Sequence, residues 1–446
     1  DPLWQEPYTY TGLPQVNNRY ARAIAVDDDG NVYVTGTIDR GNSRFGTIKY
    51  DTDGGQQWMK TFRSGTEMTD AYSIALGPDD MLYVGGEDNG AFTEDGFVLV
   101  GYSTAGDSLW SAQTDDLIDV TIPYLQLDNA GNAVIGGKGS LLVDPDNFIT
   151  VIAAQARKYG PAGDFLGEVT YQAPQVDTVG FLAMAGMDVD ASGGIALTVQ
   201  AFYTCQGSMS QTAQFPDGAA DPAWITSYHD SQGSRGRMLS GFTDNMGNSF
   251  CTGDFLTFTS GFNTTRFLVK HGPDGSIAWQ KRYDTARAGP AAGILGAVDN
   301  EGDARVYLIP ENDLSGDPLT LRLKKLDANG NELWEAQKDL LQPSLYAITV
   351  DAGGNTYLSG SAMSDNGVDP AFVVVKFDTD GNELWTSYST VDGANSYTGE
   401  NAMVTADGGL LLAGSAGVGG WFSSDMDFIV TKFNADGTVA WATSVP

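Results

Sequence analysis

The chain has 446 residues, and its 24 Lys and Arg against 57 Asp and Glu give a formal charge of −33. This charge excludes non-specific nucleic-acid binding as a main role, because phosphates would be repelled rather than bound. With two Cys and two His the chain has no Cys-rich zinc motif, whereas its 41% of hydrophobic residues is enough to form a core.

The first predicted elements are short strands in which apolar and polar residues alternate with a period of two. They cover residues 23–26, 31–36, 45–50 and 56–62. Tight turns of Asp, Gly and Asn join the first strand to the second and the third to the fourth. Four antiparallel strands in this arrangement are typical of one blade of a β-propeller.

This unit recurs to the end of the chain, and its most constant mark is a Gly followed four residues later by a Trp, as in Gly54 and Trp58. The step is found again at 106→110, 275→279, 330→334, 381→385 and 437→441, and in longer form at 218→224. In the remaining repeat, Gly167 stands where Trp is expected. Seven steps lead from Trp58 to Trp441, which gives a period of about 55 residues. Eight copies fill residues 1–446 and predict an all-β fold, a single eight-bladed β-propeller domain of four-stranded antiparallel blades.

The Trp residues recur with the repeat, so we expect their indoles to pack between neighbouring blades rather than to stack on sugars. Trp4 and Tyr8 also match the fourth-strand pattern of Trp58 and Phe62. Residues 1–10 are therefore predicted to form an extra outer-strand segment that aids ring closure, alongside or in place of the Trp441 strand.

The sequence also bears on location. It begins at Asp1, and no apolar stretch reaches the roughly 18 residues that a spanning helix needs. We expect that the chain was either processed or trimmed before Asp1, and that it is an exported protein without a membrane span, located outside the cell or at its surface. A halophilic origin is an alternative explanation of the acidic composition.

A resemblance to a known family rests on two runs, Asp-x-x-Gly-Asn-x-Tyr-Val-x-Gly and Phe-Val-x-Val-Lys-Phe-Asp-x-x-Gly-Asn-x-x-Trp. Residues 351–385 are the clearest copy, and residues 23–58 and 427–441 are good ones. The runs resemble the SBBP-type β-propeller repeat of secreted bacterial proteins. The resemblance implies an exported or surface-attached propeller, often from Bacteroidota, often associated with the outer membrane and delivered by type IX secretion. It implies no catalytic residues.

The Gly-x-x-x-Trp ending is also similar to the repeats of quinoprotein dehydrogenases and of the propeller of the outer-membrane assembly machinery. A quinone site would want a vicinal disulfide or a stacking Trp, together with calcium ligands at the ring axis. The sequence has no Cys-Cys pair, which disfavours a quinoprotein.

Candidate metal ligands are the paired acids of the Asp-x-Asp-Gly turns. These pairs are Asp27 and Asp29, Asp51 and Asp53, and Asp378 and Asp380. Alternate carboxylates suit Ca²⁺, but Asp also stabilises such turns by bonding to its own backbone. We expect turn stabilisation and no cofactor, with calcium as the alternative.

The few His and Cys residues are expected to be structural. His271 occupies the third-strand position of Tyr50, so it is predicted to pack in the core. His229 has no acid or nucleophile pattern around it, which gives a Ser-His-Asp triad little support. Cys251 falls on a core position of a second strand, and a disulfide to Cys205 is an alternative in an oxidising compartment.

The predicted binding face carries the long, irregular connections that join the second strand to the third and the fourth strand to the first of the next repeat, because variable loops on a rigid scaffold often bind ligands. The connection in the last repeat contains Trp421 and Phe422, which no other repeat has. We predict these two as partner-binding residues. The favoured function is a non-enzymatic binding or structural module in a bacterial cell-surface assembly with a protein partner. The alternative is a carbohydrate-binding or carbohydrate-active propeller that uses the same face.

Overall fold

The structure is a computed structural model. It describes residues 20–38, 43–64, 68–89, 96–114, 117–144, 149–172, 179–203, 207–228, 235–244, 246–257, 263–285, 293–299, 301–309, 318–367, 369–391, 394–418 and 426–445. In these ranges every regular element is a β-strand. No helix that could cross a membrane is found in them. The predicted all-β class is confirmed.

The strands follow one another in sets that match the sequence repeats. The first four repeats contain β1 (Tyr20–Val26), β2 (Val32–Ile38), β3 (Arg44–Tyr50), β4 (Gln56–Phe62), β5 (Met68–Leu76), β6 (Met81–Asn89), β7 (Gly96–Ser103), β8 (Ser108–Gln113), β9 (Leu117–Leu127), β10 (Ala133–Asp144), β11 (Ile149–Tyr159), β12 (Phe165–Tyr171), β13 (Val179–Val189), β14 (Ile195–Tyr203), β15 (Gly207–Phe215) and β16 (Trp224–Tyr228). The later repeats contain β17 (Arg235–Thr243), β18 (Ser249–Thr257), β19 (Asn263–His271), β20 (Ile277–Thr285), β21 (Gly293–Val298), β22 (Ala304–Ile309), β23 (Pro318–Leu326), β24 (Glu332–Val350), β25 (Thr356–Met363), β26 (Pro370–Phe377), β27 (Glu383–Ser389), β28 (Ala394–Val404), β29 (Leu410–Val418), β30 (Met426–Phe433) and β31 (Val439–Val445).

Neighbouring strands pair antiparallel in chain order. In the first set, Val34 of β2 lies opposite Ile24 of β1 and Ile48 of β3. The sets β5–β8, β9–β12, β13–β16, β17–β20 and β28–β31 have the same order of four strands. The four-stranded antiparallel unit predicted from the spacing is therefore confirmed.

One sheet departs from this pattern, because β21 to β27 form a single sheet of seven strands. Its strand β24 is 19 residues long. The first half of β24 pairs with β23 and the second half with β25. Leu341 pairs with both neighbours, and the next residue, Gln342, has a φ of 46°. The chain thus passes from the outer strand of the sixth repeat into the inner strand of the seventh without leaving the sheet. Since β24 serves two repeats, the described strands form seven sheets, and eight as the number of blades stays a prediction.

The core lies between neighbouring repeats rather than inside one sheet. Tyr33 and Phe45 of the first repeat share a buried cluster with Leu82 and Val98 of the second. A strand whose two faces both meet another sheet is buried along its length, and all seven residues of β2 are buried. The outer strand β4 is partly or fully exposed. Each repeat therefore depends on its neighbours for burial, as expected of a repeat architecture.

The last repeat packs against the first. Leu411 and Val430 of the last set share a buried cluster with Val34 and Ile48 of the first. This contact brings together residues at opposite ends of the described chain. The expectation of a single domain over residues 1–446 stays a prediction, and the predicted extra strand at residues 1–10 lies outside the described residues.

Candidate functional site

The recurring tryptophans form joints between one repeat and the next. The Trp58 indole N–H donates a hydrogen bond of 3.1 Å to the backbone oxygen of Thr104, in the turn between β7 and β8. Two residues further, Gly106 has a φ of 90°, and a β-carbon added there would lie 3.1 Å from the indole ring. The glycine thus permits both the turn and the close approach of the ring.

Among the described residues the same joint occurs at seven places, with hydrogen bonds of 2.7–3.1 Å and partly buried indoles. The donors and acceptors are Trp58 to Thr104, Trp110 to Pro161, Trp224 to Pro273, Trp279 to Ala328, Trp334 to Thr379, Trp385 to Ala435 and Trp441 to Thr52. The last of these runs from the final repeat to the first. The prediction that the indoles pack between repeats is confirmed.

The joint between the third and fourth repeats lacks a tryptophan. Gly167 of β12 lies opposite Lys158 of β11, in the register in which Trp385 lies opposite Lys376. A β-carbon added at Gly167 would meet no atom within 4 Å, and the same is true of Gly218 across the joint. The two walls have not collapsed onto each other, and a cavity of about 280 Å³ lies between the repeats. We call it the Gly167 cavity.

The Gly167 cavity has apolar and charged walls. Its apolar lining comes from Leu166, Val169, Ile195 and Pro216. Val169 and Ile195 are buried, whereas Leu166 is exposed, so the cavity has a closed floor and an accessible rim. It lies beside the turn that joins the third and fourth strands, a short-turn position and not one of the long connections favoured by the sequence.

Lys158 is the cationic group of this cavity, whose lining also includes the acids Glu168 and Asp217. Its Nζ lies 2.6 Å from Asp128 of its own repeat and 2.8 Å from Asp217 of the next, and only 11% of its side chain is exposed. Burial opposes the charge, but the hydrogen bonds to the two carboxylates outweigh it and raise the pKa of Lys158. The lysine therefore stays protonated at neutral pH and bridges the two repeats where the indole is missing.

The turn acids are engaged with their own turns. Asp27 accepts a hydrogen bond of 2.8 Å from the backbone N–H of Asn31. Asp378 accepts one of 2.8 Å from the backbone N–H of Asn382 and another of 2.9 Å from its side-chain amide. These bonds hold the pKa of Asp378 below its usual value. The predicted turn-stabilising role is confirmed here. Among the described residues, no group of three or more His, Cys, Asp or Glu is arranged to hold a metal ion.

Comparison with known proteins identifies the repeat. A family model for the SBBP β-propeller repeat matches residues 9–42. The chain carries an SBBP-type β-propeller repeat. The match includes β1 and β2 of the first repeat. No curated protein matches this sequence.

Solved structures similar to this SBBP-repeat chain are distant. A eukaryotic initiation factor has 9% identity and a TM-score of 0.43, with 96% of each chain covered. The β-propeller domain of the Trilobed protease from Pyrococcus furiosus has 7% identity and a TM-score of 0.41, with 83% of this chain and 98% of that chain covered. The GH43 endo-arabinanase from Bacillus licheniformis has 11% identity and a TM-score of 0.27, with 63% of this chain and 94% of that chain covered. These similarities carry no argument about activity.

Other residues predicted from the sequence are placed as follows. His271 lies opposite Ser249 and is 1% exposed, in the register of Tyr50, so its core position is confirmed. Burial lowers its pKa to about 4. Cys251 is buried with a free thiol, and burial raises its pKa to about 12. The predicted binding residues Trp421 and Phe422, with His229 and Cys205, lie outside the described residues.

Sequence reasoning missed Arg305, the largest fully buried side chain in the part of the chain that the structure describes. Its guanidinium lies 3.0 Å from Asp299 and donates a hydrogen bond of 3.3 Å to the backbone oxygen of Gly354 in the next repeat. In the following repeat the same second-strand position holds Tyr357, whose hydroxyl donates to the backbone oxygen of Gly408. Arg305 thus makes a hydrogen bond to the next repeat that is equivalent to the one that Tyr357 makes. The feature of the sequence that could have indicated Arg305 is a charged residue in a second strand that is otherwise apolar.

Proposed function

We propose that the chain is a non-enzymatic β-propeller that acts as a binding or structural module in a bacterial cell-surface or outer-membrane assembly, with a protein partner. The observation that carries the proposal is that the side chains recurring in the repeat already hold it together. Trp385 bridges to Ala435 of the next repeat, and Asp378 holds its own turn. The partner is therefore expected to bind residues that do not recur from repeat to repeat.

The proposed partner-binding residues are Trp421 and Phe422, between β29 and β30. Aromatic residues are enriched among those that dominate binding energy, and this pair is flanked by two Gly and two Ser. The net charge of −33 favours a partner with a basic surface, because opposite potentials increase the rate of association. A location outside the cell, reached by type IX secretion, is proposed from the resemblance to repeats of secreted bacterial proteins.

The test compares three proteins as bait in a bacterial envelope extract: the wild type, the double variant Trp421→Ala with Phe422→Ala, and Phe165→Ser. Phe165 is a matched control because it is an aromatic residue of β12 with 55% exposure. A captured protein is identified, purified and titrated against each bait. We expect equal affinity for the wild type and the control, and at least tenfold weaker binding by the double variant.

Two results would overturn the proposal. One is recovery of the bait alone under several detergents and salt concentrations. The other is binding to a glycan array, or turnover of a polysaccharide that stops when acids on the long-loop face are replaced. The second result would support the carbohydrate-binding or carbohydrate-active alternative.

A further inference from the structure

The Gly167 cavity is an indole-binding joint without its indole. At seven joints a tryptophan fills the space between the outer strand of one repeat and a turn of the next. At the joint between the third and fourth repeats, Gly167 leaves that space open, and Gly218 on the opposite wall also has no atom within 4 Å of an added β-carbon. The other joints therefore show which chemical group these walls are shaped to hold.

The size of the cavity fits this group. An apolar cavity of about 150 Å³ is large enough to bind benzene, and the Gly167 cavity has a volume of about 280 Å³. It can accommodate a bicyclic ring. Val169 and Ile195 provide a buried apolar floor, and the exposed Leu166 lies at the rim, so a ring can enter from solvent and be covered on one face.

The charged wall of the cavity also suits an aromatic ring. At an occupied joint, the Nζ of Lys376 lies 6.0 Å from the centre of the Trp385 ring. Lys158 holds the equivalent register position beside Gly167. It is fixed by Asp128 at 2.6 Å and Asp217 at 2.8 Å, so it is already positioned to face an aromatic ring. Such cation–π contacts are strongest with indole.

We propose that the Gly167 cavity binds an indole ring, supplied either by a free heterocycle or by a tryptophan side chain of a polypeptide. The site is distinct from Trp421 and Phe422, and the proposal does not depend on the proposed function. It would give the chain one ligand site at the single described joint where the recurring side chain is absent.

The test measures binding of indole and of N-acetyltryptophanamide by ligand-observed NMR and calorimetry. Wild type is compared with Gly167→Trp, which restores the missing side chain, and with Gly167→Ala as a matched control. We expect one indole bound by the wild type and by Gly167→Ala, and at least tenfold weaker binding by Gly167→Trp. We also expect a higher melting temperature for Gly167→Trp, because the new ring fills the cavity.

A second variant opens an equivalent cavity elsewhere. Trp385→Gly should bind one indole more than the wild type. If this variant fails to fold, the Gly167→Trp comparison is unaffected, because that variant adds packing. No binding by the wild type up to the solubility limit of indole would overturn the proposal, as would undiminished binding by Gly167→Trp.

Further arms separate the two sources of the ring. A synthetic peptide with the sequence of residues 1–10 carries Trp4, which matches the fourth-strand pattern, and the same peptide with Trp4→Ala is its control. Tighter binding of the Trp4 peptide than of free indole assigns the site to a polypeptide. Equal or weaker binding of the peptide assigns it to a free heterocycle. Failure of every indole-bearing probe contradicts the proposal.

Discussion

Replacement of Trp385 by Ala tests the role of an occupied joint. The ring packs against Gly437 of the next repeat, where an added β-carbon would lie 2.7 Å away. It also contacts the edge of Tyr357, with ring centres 6.1 Å apart, and donates a hydrogen bond of 2.9 Å to Ala435. Alanine removes all three contacts and leaves a cavity between two repeats.

The expected cost follows from these contacts. A Trp side chain buries about 150–250 Å², which at about 25 cal/mol per Å² gives about 4–6 kcal/mol as an upper limit. Trp385 is partly buried and Ala retains the β-carbon, so we expect the free energy of unfolding to fall by about 3–4 kcal/mol. About 1 kcal/mol of this is the lost hydrogen bond.

Urea unfolding followed by circular dichroism measures the change, with Leu384→Ala as the control. Leu384 precedes Trp385 on the same outer strand and is 51% exposed, so its loss should cost less than about 0.5 kcal/mol. Equal stability of Trp385→Ala and the control would refute the assignment of the indoles to packing between repeats. Trp385→Phe should give an intermediate loss, because it keeps most of the ring area but not the N–H.

Two further substitutions test the glycine and the buried histidine. Gly437→Ala should be less stable than Gly218→Ala, because both sites have positive φ but only Gly437 would clash with an indole; equal urea midpoints would contradict this. For His271, burial lowers the folded-state pKa from its ordinary value of 6.5 to about 4. Below pH 6.5 the unfolded chain therefore binds a proton that the folded chain does not. Stability is therefore retained above pH 6.5 and falls by about 2–3 kcal/mol between pH 7.5 and 4.5. His271→Phe should lose that part of the pH dependence in urea titrations at the two pH values, and an unchanged dependence would show that His271 does not cause it.

The fold could be predicted from the sequence because the same residues recur at a constant spacing in successive repeats. The spacing of Gly54 and Trp58 indicated a structural role for both residues, and the period indicated that neighbouring repeats share it. The spacing did not identify the contact partners. Gly54 packs against Trp441 of the last repeat, whereas Trp58 packs against Gly106 of the second, a pairing that depends on how the repeats meet in space.

The open space beside Gly167 could not be predicted, because it depends on whether the surrounding residues move to fill the place of the missing side chain. Gly167 was recognised as a departure from the repeat, but a missing side chain does not show whether its surroundings close over it. The continuous strand β24 could not be predicted because it contains Pro343, and Pro usually interrupts a strand. In the structure, Pro343 lies in the register shift between Leu341 and Ser344, both of which pair with β25, and it follows Gln342 with its positive φ.

The most direct measurement is an experimental electron-density map of the joints. The account predicts that each of the seven indoles lies within about 3.2 Å of the turn carbonyl of the next repeat, with Trp441 bonded to Thr52, and that the space beside Gly167 is open and accessible from solvent. Density showing the indoles turned outward into water, or Leu166 and Pro216 closed over Gly167, would contradict it.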